Sequence, residues 1–430
     1  MNTSELPVAV IGAGPVGLAA AAHLLATGQE PIVFEAGSGP GAAIAEWGHV
    51  RLFSPWEFNI DEVAAALLAD QGWHAPAPGE HPTGRELIDQ YLAPLAEVEP
   101  LAARIRFATR VTAVSRSGLD KVKTAGRSEA PFRLRTVGPD GETDVLARAV
   151  IDASGTWSRP GPAGAAGTPA LGEQAAADHI SYRIPDLDGP ERDRYANRRV
   201  LVVGSGHSAF NVLNDLADLR RDAPGTEIVW AVRRQELGQV FGGGENDALA
   251  ERGRLGARIE GLLTSGEITI RLGAHLERFD LSADGGVTVI SRGEKIAEVD
   301  EIVVVTGFRP DLDVLSELRL DLDPALEAPS DLAPLIDPNQ HSCGTVRPHG
   351  AEELQHRDEP GLFIVGMKSY GRAPTALMLT GYEQVRSVVA ALAGDWDAAR
   401  DVRLVLPETG VCSLDDAPDA RAAEPANCCA

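Results

Sequence analysis

Cysteine is scarce in this chain of 430 residues, and three of its four cysteines lie near the end. Cys343 stands apart, whereas Cys412, Cys428 and Cys429 share the last stretch of sequence. Thiolates are the soft ligands among side chains, so three of them on one segment predict a site for a thiophilic metal or metalloid ion. The open alternative is a tail whose exposed thiols have no function, because chain ends tolerate almost any sequence.

Glycines at two places have the spacing that dinucleotide-binding loops require. The first group is Gly12, Gly14 and Gly17, between an apolar strand-like run and an Ala/Leu-rich helix. Such glycines permit a tight turn and let backbone N–H groups approach a pyrophosphate at the helix N-terminus. Glu35 follows the next predicted strand, at the spacing of a carboxylate that binds ribose hydroxyls. The pattern predicts a dinucleotide site, and a glycine-rich turn without a ligand is the alternative.

The second group again lies between a predicted strand and a predicted helix, and it consists of Gly204, Ser205, Gly206, His207 and Ser208. The strand that follows ends in Arg233 and Arg234 instead of an acid. A carboxylate there would repel a 2′-phosphate, whereas arginine can bind one bidentately, so we expect NADPH rather than NADH. Two alternatives stay open: the arginines could cap a solvated sheet edge, and His207 could pack instead of contacting a phosphate.

Strand-like and helix-like runs alternate along the chain, which predicts an α/β fold of parallel sheets covered by helices. We predict strands at residues 6–11, 31–34, 198–203, 227–232 and 362–365, a first helix that ends at about residue 26, and further helices at residues 209–219 and 374–392. Pro374 suits the first helical position of the last helix. Residues 155–172 and 321–338 have the composition of connectors, and the chain from Gly394 onward that of a flexible extension.

Composition and charge exclude several classes of function. The net charge of −24 argues against nucleic acid or an anionic membrane as partner. The N-terminus has no basic segment, and the apolar run at residues 16–26 is too short to span a bilayer, so we expect neither a signal peptide nor a membrane helix. A cytoplasmic protein with reduced cysteines is the expectation. The sequence leaves the oligomeric state open, a homodimer included.

Two dinucleotide modules, the second inserted into the first, resemble the two-dinucleotide-binding-domain flavoproteins, and among these the flavin-containing monooxygenases. Residues 151–156 and 305–310 resemble the two crossings between their domains, and residues 47–59 and 81–92 resemble their flavin loop and the helix after it. Residues 338–350 and 366–375 are similar to flavoprotein monooxygenases of bacterial arsenic-resistance operons. The resemblance implies two Rossmann-like domains: an FAD domain at residues 1–160 and 335–394, an NADPH domain at residues 161–334, and a flexible tail at residues 395–430.

The resemblance also implies which residues serve the cofactors. The FAD contacts are expected from loops around the first sheet, at Gly12, Gly14, Pro15, Gly17, Glu35, Ala36, Trp47, Arg51, Ser54, Val111, Ala153, Ser154, Gly155 and Gly366. Thr306 and Gly307 belong to the second crossing. Asn59 is similar in position to an asparagine that holds flavin and nicotinamide, with an ordinary loop hydrogen bond as the alternative. Cys343 is expected to contact substrate near the flavin, or else to be a buried structural thiol.

The chemistry that the resemblance implies is oxygen transfer. NADPH would reduce FAD, and a C4a-hydroperoxyflavin would then oxidise a soft nucleophile, here a trivalent arsenical to the pentavalent form. The partners would be molecular oxygen and a small-molecule substrate. A disulfide relay through a Cys-x-x-Cys pair is not expected, since the chain has none. Two alternatives stay open: an NADPH-dependent reductase of a thiophilic metal ion or disulfide that uses the tail cysteines, and a nucleotide-binding sensor without turnover.

Overall fold

The computed structural model describes residues 3–236, 250–341, 346–373 and 377–403. Its strands are β1 (Val8–Ile11), β2 (Pro31–Phe34), β3 (Ile105–Arg106), β4 (Arg110–Arg116), β5 (Phe132–Gly138), β6 (Gly141–Ala147), β7 (Ala149–Asp152), β8 (Ile180–Ser181), β9 (Arg199–Val203), β10 (Glu227–Ala231), β11 (Ile268–Arg271), β12 (Leu276–Leu281), β13 (Val287–Ser291), β14 (Glu294–Val299), β15 (Glu301–Val304) and β16 (Leu362–Ile364).

The helices that cover these strands differ widely in length. They are α1 (Pro15–Ala26), α2 (Ala42–Ala45), α3 (Glu62–Ala69), α4 (Gly84–Leu87), α5 (Ala93–Glu97), α6 (Glu99–Ala102), α7 (Arg192–Tyr195), α8 (His207–Asp222), α9 (Ala250–Thr264), α10 (Ala333–Ile336), α11 (Met378–Leu392) and α12 (Trp396–Arg400). A π-helical turn, Ile88–Leu92, joins α4 to α5, and a 3₁₀ turn, Gly366–Tyr370, follows β16.

The first sheet has the strand order β16-β7-β1-β2-β3, and all its pairs are parallel. All four residues of β1 are buried, as expected for a strand covered on both faces. The register places Ile11 beside both Phe34 and Asp152, so the carboxyl ends of β2, β1 and β7 end level with one another. Helices α1 and α11 pack together in the core on one side of this sheet.

The second sheet has the order β11-β10-β9-β15-β8 and is also parallel. Its strands all lie between β7 and β16 in the sequence, and the antiparallel strands β12–β14 lie on the path from β11 to β15. One βαβ unit is therefore inserted into the other, which confirms the predicted fold class of two Rossmann-like domains.

The structure differs from the sequence-based bounds in three places, of which the helix start is the first. Helix α11 begins at Met378, because Leu377 is still extended at φ −94° and ψ 158°, and the predicted start at Pro374 lies outside the described residues. The extension predicted from Gly394 onward is also helical at first: α12 follows at once, capped by the Asp395 side chain, which accepts from the Ala398 N–H. The Ser387 hydroxyl donates to the Ala399 carbonyl and holds α12 against α11.

The third difference concerns where the chain returns to the first domain. Leu315 and Leu318 are fully buried with Phe132 and Leu362 in a core that belongs to the first domain. Leu326 and Leu332 join the main core of the same domain. The return therefore comes earlier than the predicted boundary at residue 334, because these leucines bury their side chains against strands of the first domain.

None of the helices in the described part of the chain combines the length and the apolar composition that a membrane crossing requires.

The buried residue His356 lies near the segment where the chain returns to the first domain. Its titration should make the free energy of unfolding depend on pH. His356 is 1% exposed, and its Nδ1 accepts the Asp321 N–H at 3.1 Å. Burial lowers the pKa of His356 to about 4. The pKa of histidine in the unfolded chain is about 6.5, so the unfolded state takes up a proton before the folded state does. The free energy of unfolding therefore falls by about 3 kcal/mol as pH drops from about 6.5 to 4, and it is unaffected by His356 above that range. We expect His356→Gln, which keeps an acceptor but cannot titrate, to show a weaker fall in urea-unfolding free energy between pH 7 and pH 4.5. Equal pH dependence of the two proteins would contradict this assignment.

Candidate functional site

A crevice is expected at the carboxyl ends of β1 and β7, where the strand order of the first sheet reverses direction. From β1 the chain proceeds to β2 on one side, whereas β7 and β16 lie on the other side. Ligands of open parallel sheets bind at such a switch point. The loops that follow β1, β2, β7 and β16 all begin at this edge of the sheet. They bring together most of the predicted residues of the first site.

The first glycine loop fits a pyrophosphate. Gly12 has φ +100°, and a Cβ there would lie 2.9 Å from the Ala153 carbonyl oxygen. A Cβ on Gly17 would overlap the Gly12 carbonyl oxygen, so these two glycines are required by the loop itself. Gly14 differs, because a Cβ there would meet nothing within 4 Å. The space above Gly14, at the start of α1, is the space that a phosphate would occupy.

Glu35 lies at the rim of the same loop, directly after β2. Its two carboxylate oxygens accept the N–H groups of Ala13 and Gly37, each at 2.8 Å. These bonds fix the carboxylate beside the glycine loop, where an acid that binds ribose hydroxyls is expected. Ala36 follows it and is exposed, and Val111 lies half-buried on β4.

The loop after β7 contains a buried ion pair that the sequence interpretation missed. Asp152 is 0% and Lys368 1% exposed, and the Lys368 Nζ lies 2.7 Å from the Asp152 Oδ2. Lys368 also donates to the Ser154 hydroxyl at 3.0 Å. Ala153, Ser154 and Gly155 were predicted as cofactor contacts, and Ser154 is exposed at the edge of the crevice. A lysine in an otherwise apolar turn is a sequence signal for a buried charge. Its partner could not be predicted, because Asp152 lies far from Lys368 in the chain.

The 3₁₀ turn Gly366–Tyr370 closes the crevice beside β16. The Gly366 N–H donates to the Gln384 Oε1 at 2.7 Å, and the Gln384 amide nitrogen donates to the His349 Nε2 at 3.0 Å. The His349 Nδ1–H donates to the Arg347 carbonyl at 2.9 Å, so this imidazole is neutral in the arrangement. Burial lowers the pKa of His349, which agrees with that state.

The predicted flavin loop, residues 47–59, is held by hydrogen bonds within the loop and by others to residues 78–85. Asn59 is 0% exposed: its Oδ1 accepts from the Ser54 hydroxyl at 2.8 Å, and its amide nitrogen donates to the Ser54 and Pro55 carbonyls. These are the bonds that the alternative of an ordinary loop hydrogen bond expects, and a cofactor contact of Asn59 stays a prediction. The Trp47 ring packs so closely on Gly84 that a Cβ there would lie 2.9 Å from it. Arg51 is exposed and donates to the His81 carbonyl.

The second glycine loop repeats the geometry of the first. Gly204 has φ +131°, and a Cβ there would overlap the Val305 carbonyl oxygen. A Cβ on Gly206 would meet nothing within 4 Å, which again leaves room for a phosphate at the start of a helix, here α8. Its neighbours Ser205 and Ser208 are half-buried. The His207 ring lies 5.1 Å from that of Phe53, so this loop meets the loop of the other domain.

Arg233 and Arg234 follow β10 at the position where a nucleotide ribose is read in such a fold. Arg233 is exposed, and its guanidinium donates to the Ala165 carbonyl at 3.3 Å. Thr306 and Gly307 lie in the second crossing, and both contact Gly161 in the connector that follows the first crossing. The Thr306 hydroxyl donates to the Gly161 carbonyl at 2.9 Å, and the Gly307 carbonyl accepts the Gly161 N–H at 2.8 Å.

Comparison with known families agrees with this geometry. Residues 9–344 match the family model described as pyridine nucleotide-disulphide oxidoreductase. The chain belongs to this family.

Among curated relatives of this chain is flavin-containing monooxygenase FMO GS-OX-like 2 of Arabidopsis thaliana, 25% identical over 244 residues, 51% of this chain and 49% of the relative. The chain thus spans about half the length of that relative. A ferredoxin–NADP reductase of Salinispora tropica is 27% identical over 332 residues, 74% of this chain and 79% of that protein.

Solved structures share the fold at low identity. Bacillithiol disulfide reductase Bdr from Bacillus cereus has a TM-score of 0.65 at 20% identity, over 90% of this chain and 99% of that one. The cadaverine monooxygenase DfoA from Erwinia amylovora, bound to FAD, has a TM-score of 0.63 at 14% identity, over 96% and 98% of the two chains. Monooxygenases and disulfide reductases therefore share this architecture.

The cysteine predictions are not tested by the structure. Cys343, Cys412, Cys428 and Cys429 all lie outside the described residues. Within the residues that the structure describes, no group of three or more His, Cys, Asp or Glu side chains could hold a metal ion.

Proposed function

We propose that this chain is an NADPH-dependent FAD monooxygenase that transfers oxygen to a soft nucleophile. The observation that carries the proposal is the pair of open glycine loops, at Gly14 and Gly206, in a chain that contains no Cys-x-x-Cys. FAD occupies the first loop and NADPH the second. When bound, the flavin accepts hydride from NADPH and supplies the oxygen chemistry. Without a dithiol relay, its electrons go to oxygen or directly to a substrate.

The chain's own residues bind and orient the two cofactors. Glu35 holds ribose hydroxyls of FAD, and the N–H groups around Gly14 hold the pyrophosphate. The loop that contains Ser154 and the turn at Gly366 form the wall on the β7 and β16 side. Phe53 and His207 bring the two loops together and help to exclude water, which such chemistry requires.

Arg233 and Arg234 set the preference for NADPH in this proposal. A charge-assisted hydrogen bond contributes about 1.5–3 kcal/mol, which corresponds to about a ten- to hundredfold change in affinity. We expect Arg233→Ala/Arg234→Ala to lose most of the discrimination between NADPH and NADH, measured as the ratio of their kcat/KM values. Arg221→Ala, on the exposed end of α8, is the matched control and should keep it. Equal use of the two nucleotides by the unaltered enzyme would refute the assignment.

A trivalent arsenical is the substrate that we propose within the class of soft nucleophiles. Arsenic in this state binds thiolates, and Cys412, Cys428 and Cys429 would capture it on the tail, with Cys343 as an acceptor nearer the flavin. The competing function is an NADPH-dependent reductase of a thiophilic metal ion or disulfide. The adjacent Cys428 and Cys429 favour it, since two neighbouring thiols can exchange with a bound ion or disulfide.

NADPH oxidation with a panel of substrates separates the two functions. The panel contains a trivalent arsenical, an amine, a sulfide and mercuric ion, each in air and under nitrogen. The monooxygenase gives oxygen uptake that the substrate stimulates, and it stops under nitrogen. Anaerobic turnover of mercuric ion or of a disulfide that is lost in Cys428→Ser/Cys429→Ser would establish the reductase instead. Cys412→Ser serves as the control for removing a tail thiol outside the adjacent pair.

A further inference from the structure

We propose that Lys368 is a positioning residue for the FAD site, which holds Ser154 against the first glycine loop from inside the protein. The inference rests on the proposed function, because it takes the crevice at β1 and β7 as the place where FAD binds. It concerns a buried charged group that the cofactor-binding roles above do not use.

Lys368, Asp152 and Ser154 form a closed ring of hydrogen bonds. The Lys368 Nζ lies 2.7 Å from the Asp152 Oδ2 and 3.0 Å from the Ser154 Oγ. The Ser154 Oγ lies 2.6 Å from the Asp152 Oδ1, which completes the ring. Both charged members are almost fully buried, whereas Ser154 lies at the open edge of the crevice. The ring therefore extends from the interior to the surface where a ligand would bind.

The chemistry of the three groups allows one direction for each bond. An ammonium group can only donate and an ionised carboxylate can only accept. The Ser154 hydroxyl must therefore donate to Asp152 and accept from Lys368. The Ser154 N–H also donates to the Asp152 Oδ1, at 3.1 Å. Both the side chain and the backbone of Ser154 are thus fixed, and its hydroxyl proton is directed to Asp152.

The position of Ser154 determines the position of the glycine loop beside it. Asp152 ends β7 and pairs in register with Ile11, the last residue of β1. A Cβ on Gly12 would lie 3.1 Å from the Ser154 Cα, so the two backbones are in close contact. Any outward shift of Ser154 changes the wall against which the Gly12 turn rests. Lys368 thereby links the turn after β16 to the loop that faces the pyrophosphate.

Stability alone does not account for an ion pair at this place. Replacing a buried ion pair with well-packed uncharged side chains of similar volume is often neutral or stabilising. An asparagine at position 152 and a methionine at position 368 would fill the same space between β7 and the turn, but the methionine could not donate to the Ser154 hydroxyl as Lys368 does. If Lys368 orients Ser154, replacing the ion pair weakens FAD binding without loss of stability. If the ion pair only fills space, the same replacement leaves FAD binding unchanged.

The test is a cycle of variants of the full chain, with FAD affinity and urea stability measured on each protein after removal of bound flavin. Asp152→Asn/Lys368→Met removes both charges and keeps an acceptor for Ser154. We expect it to keep the urea midpoint of the parent but to bind FAD about ten- to a hundredfold more weakly, the range for loss of a hydrogen bond to a charged group. Ser154→Ala should weaken FAD binding to a similar degree.

The variant that combines all three substitutions shows whether Lys368 acts through Ser154. If Lys368 acts through Ser154, the combined variant binds FAD as weakly as the weaker-binding of Ser154→Ala and Asp152→Asn/Lys368→Met, and no more weakly. The effects of substitutions at residues that act as one unit are not additive. The proposal is overturned if the uncharged pair binds FAD as tightly as the parent, or if the losses multiply. If the parent itself binds no FAD, the proposed function fails, and this outcome is distinct from the other two.

Discussion

Replacing Glu359 with alanine is expected to lower the free energy of unfolding by about 3–5 kcal/mol, because it leaves two arginines buried without their counter-charge. Glu359 is 0% exposed, and Arg116 and Arg127 are 2% and 3% exposed. The Nε atoms of both arginines lie 2.8 Å from its carboxylate oxygens, and the Arg319 N–H donates to it at 2.9 Å. Burial opposes ionisation, but these donors outweigh it and lower the pKa of Glu359.

The loss should appear in urea or thermal unfolding of the full chain. Glu142→Ala is the matched control, since it breaks an Arg–Glu pair of similar geometry with Arg135 on the surface. That pair is screened by water, and its removal should leave the unfolding transition where it was. Equal transitions for the parent and Glu359→Ala would mean that the two buried arginines find other partners or reach solvent.

Local pattern in the sequence predicted much of the fold and both glycine loops. The strand at Pro31–Phe34 has the predicted bounds, and helix α1 ends at Ala26 as predicted. Each is fixed by features that are adjacent in the chain: an apolar run, a glycine turn and a proline at the first helical position. The space above Gly14 follows from the same spacing, because the second glycine of the pattern is the one that a ligand approaches.

Contacts between distant segments could not be predicted in this way. Lys368 finds Asp152 only because β16 pairs with β7 and places the turn after it beside the end of that strand. Asn59 shows the converse: its position matched a functional pattern, but the Ser54 hydroxyl and two carbonyls of its own loop take up its side chain. Helix α12 is held against α11 by Ser387, a residue of another helix, although its Asp395 cap is a local signal that the sequence interpretation did not use.

Placing a side chain on Gly14 is expected to abolish FAD binding while the fold survives. Gly14 has φ −79° and ψ −175°, a conformation open to any residue, and a Cβ there meets nothing within 4 Å. Gly14→Val should therefore leave the free energy of unfolding of the flavin-free chain within about 0.5 kcal/mol of the parent. The two methyl groups of the introduced valine would occupy the space of the pyrophosphate. We therefore expect FAD affinity to fall at least about a hundredfold, or about 3 kcal/mol.

The second loop supplies the matched control for Gly14→Val. Gly206 has φ −90° and ψ −179°, and it caps α8 as Gly14 caps α1. Gly206→Val should bind FAD like the parent and raise the KM for NADPH, so the two variants separate the cofactors. Flavin fluorescence titration measures the first effect and steady-state NADPH oxidation the second. Both positions accept a side chain without strain, so the two variants differ only in the ligand that each loop faces. The assignment of the two loops would be wrong if Gly14→Val bound FAD like the parent. It would also be wrong if Gly206→Val were the variant that lost FAD binding.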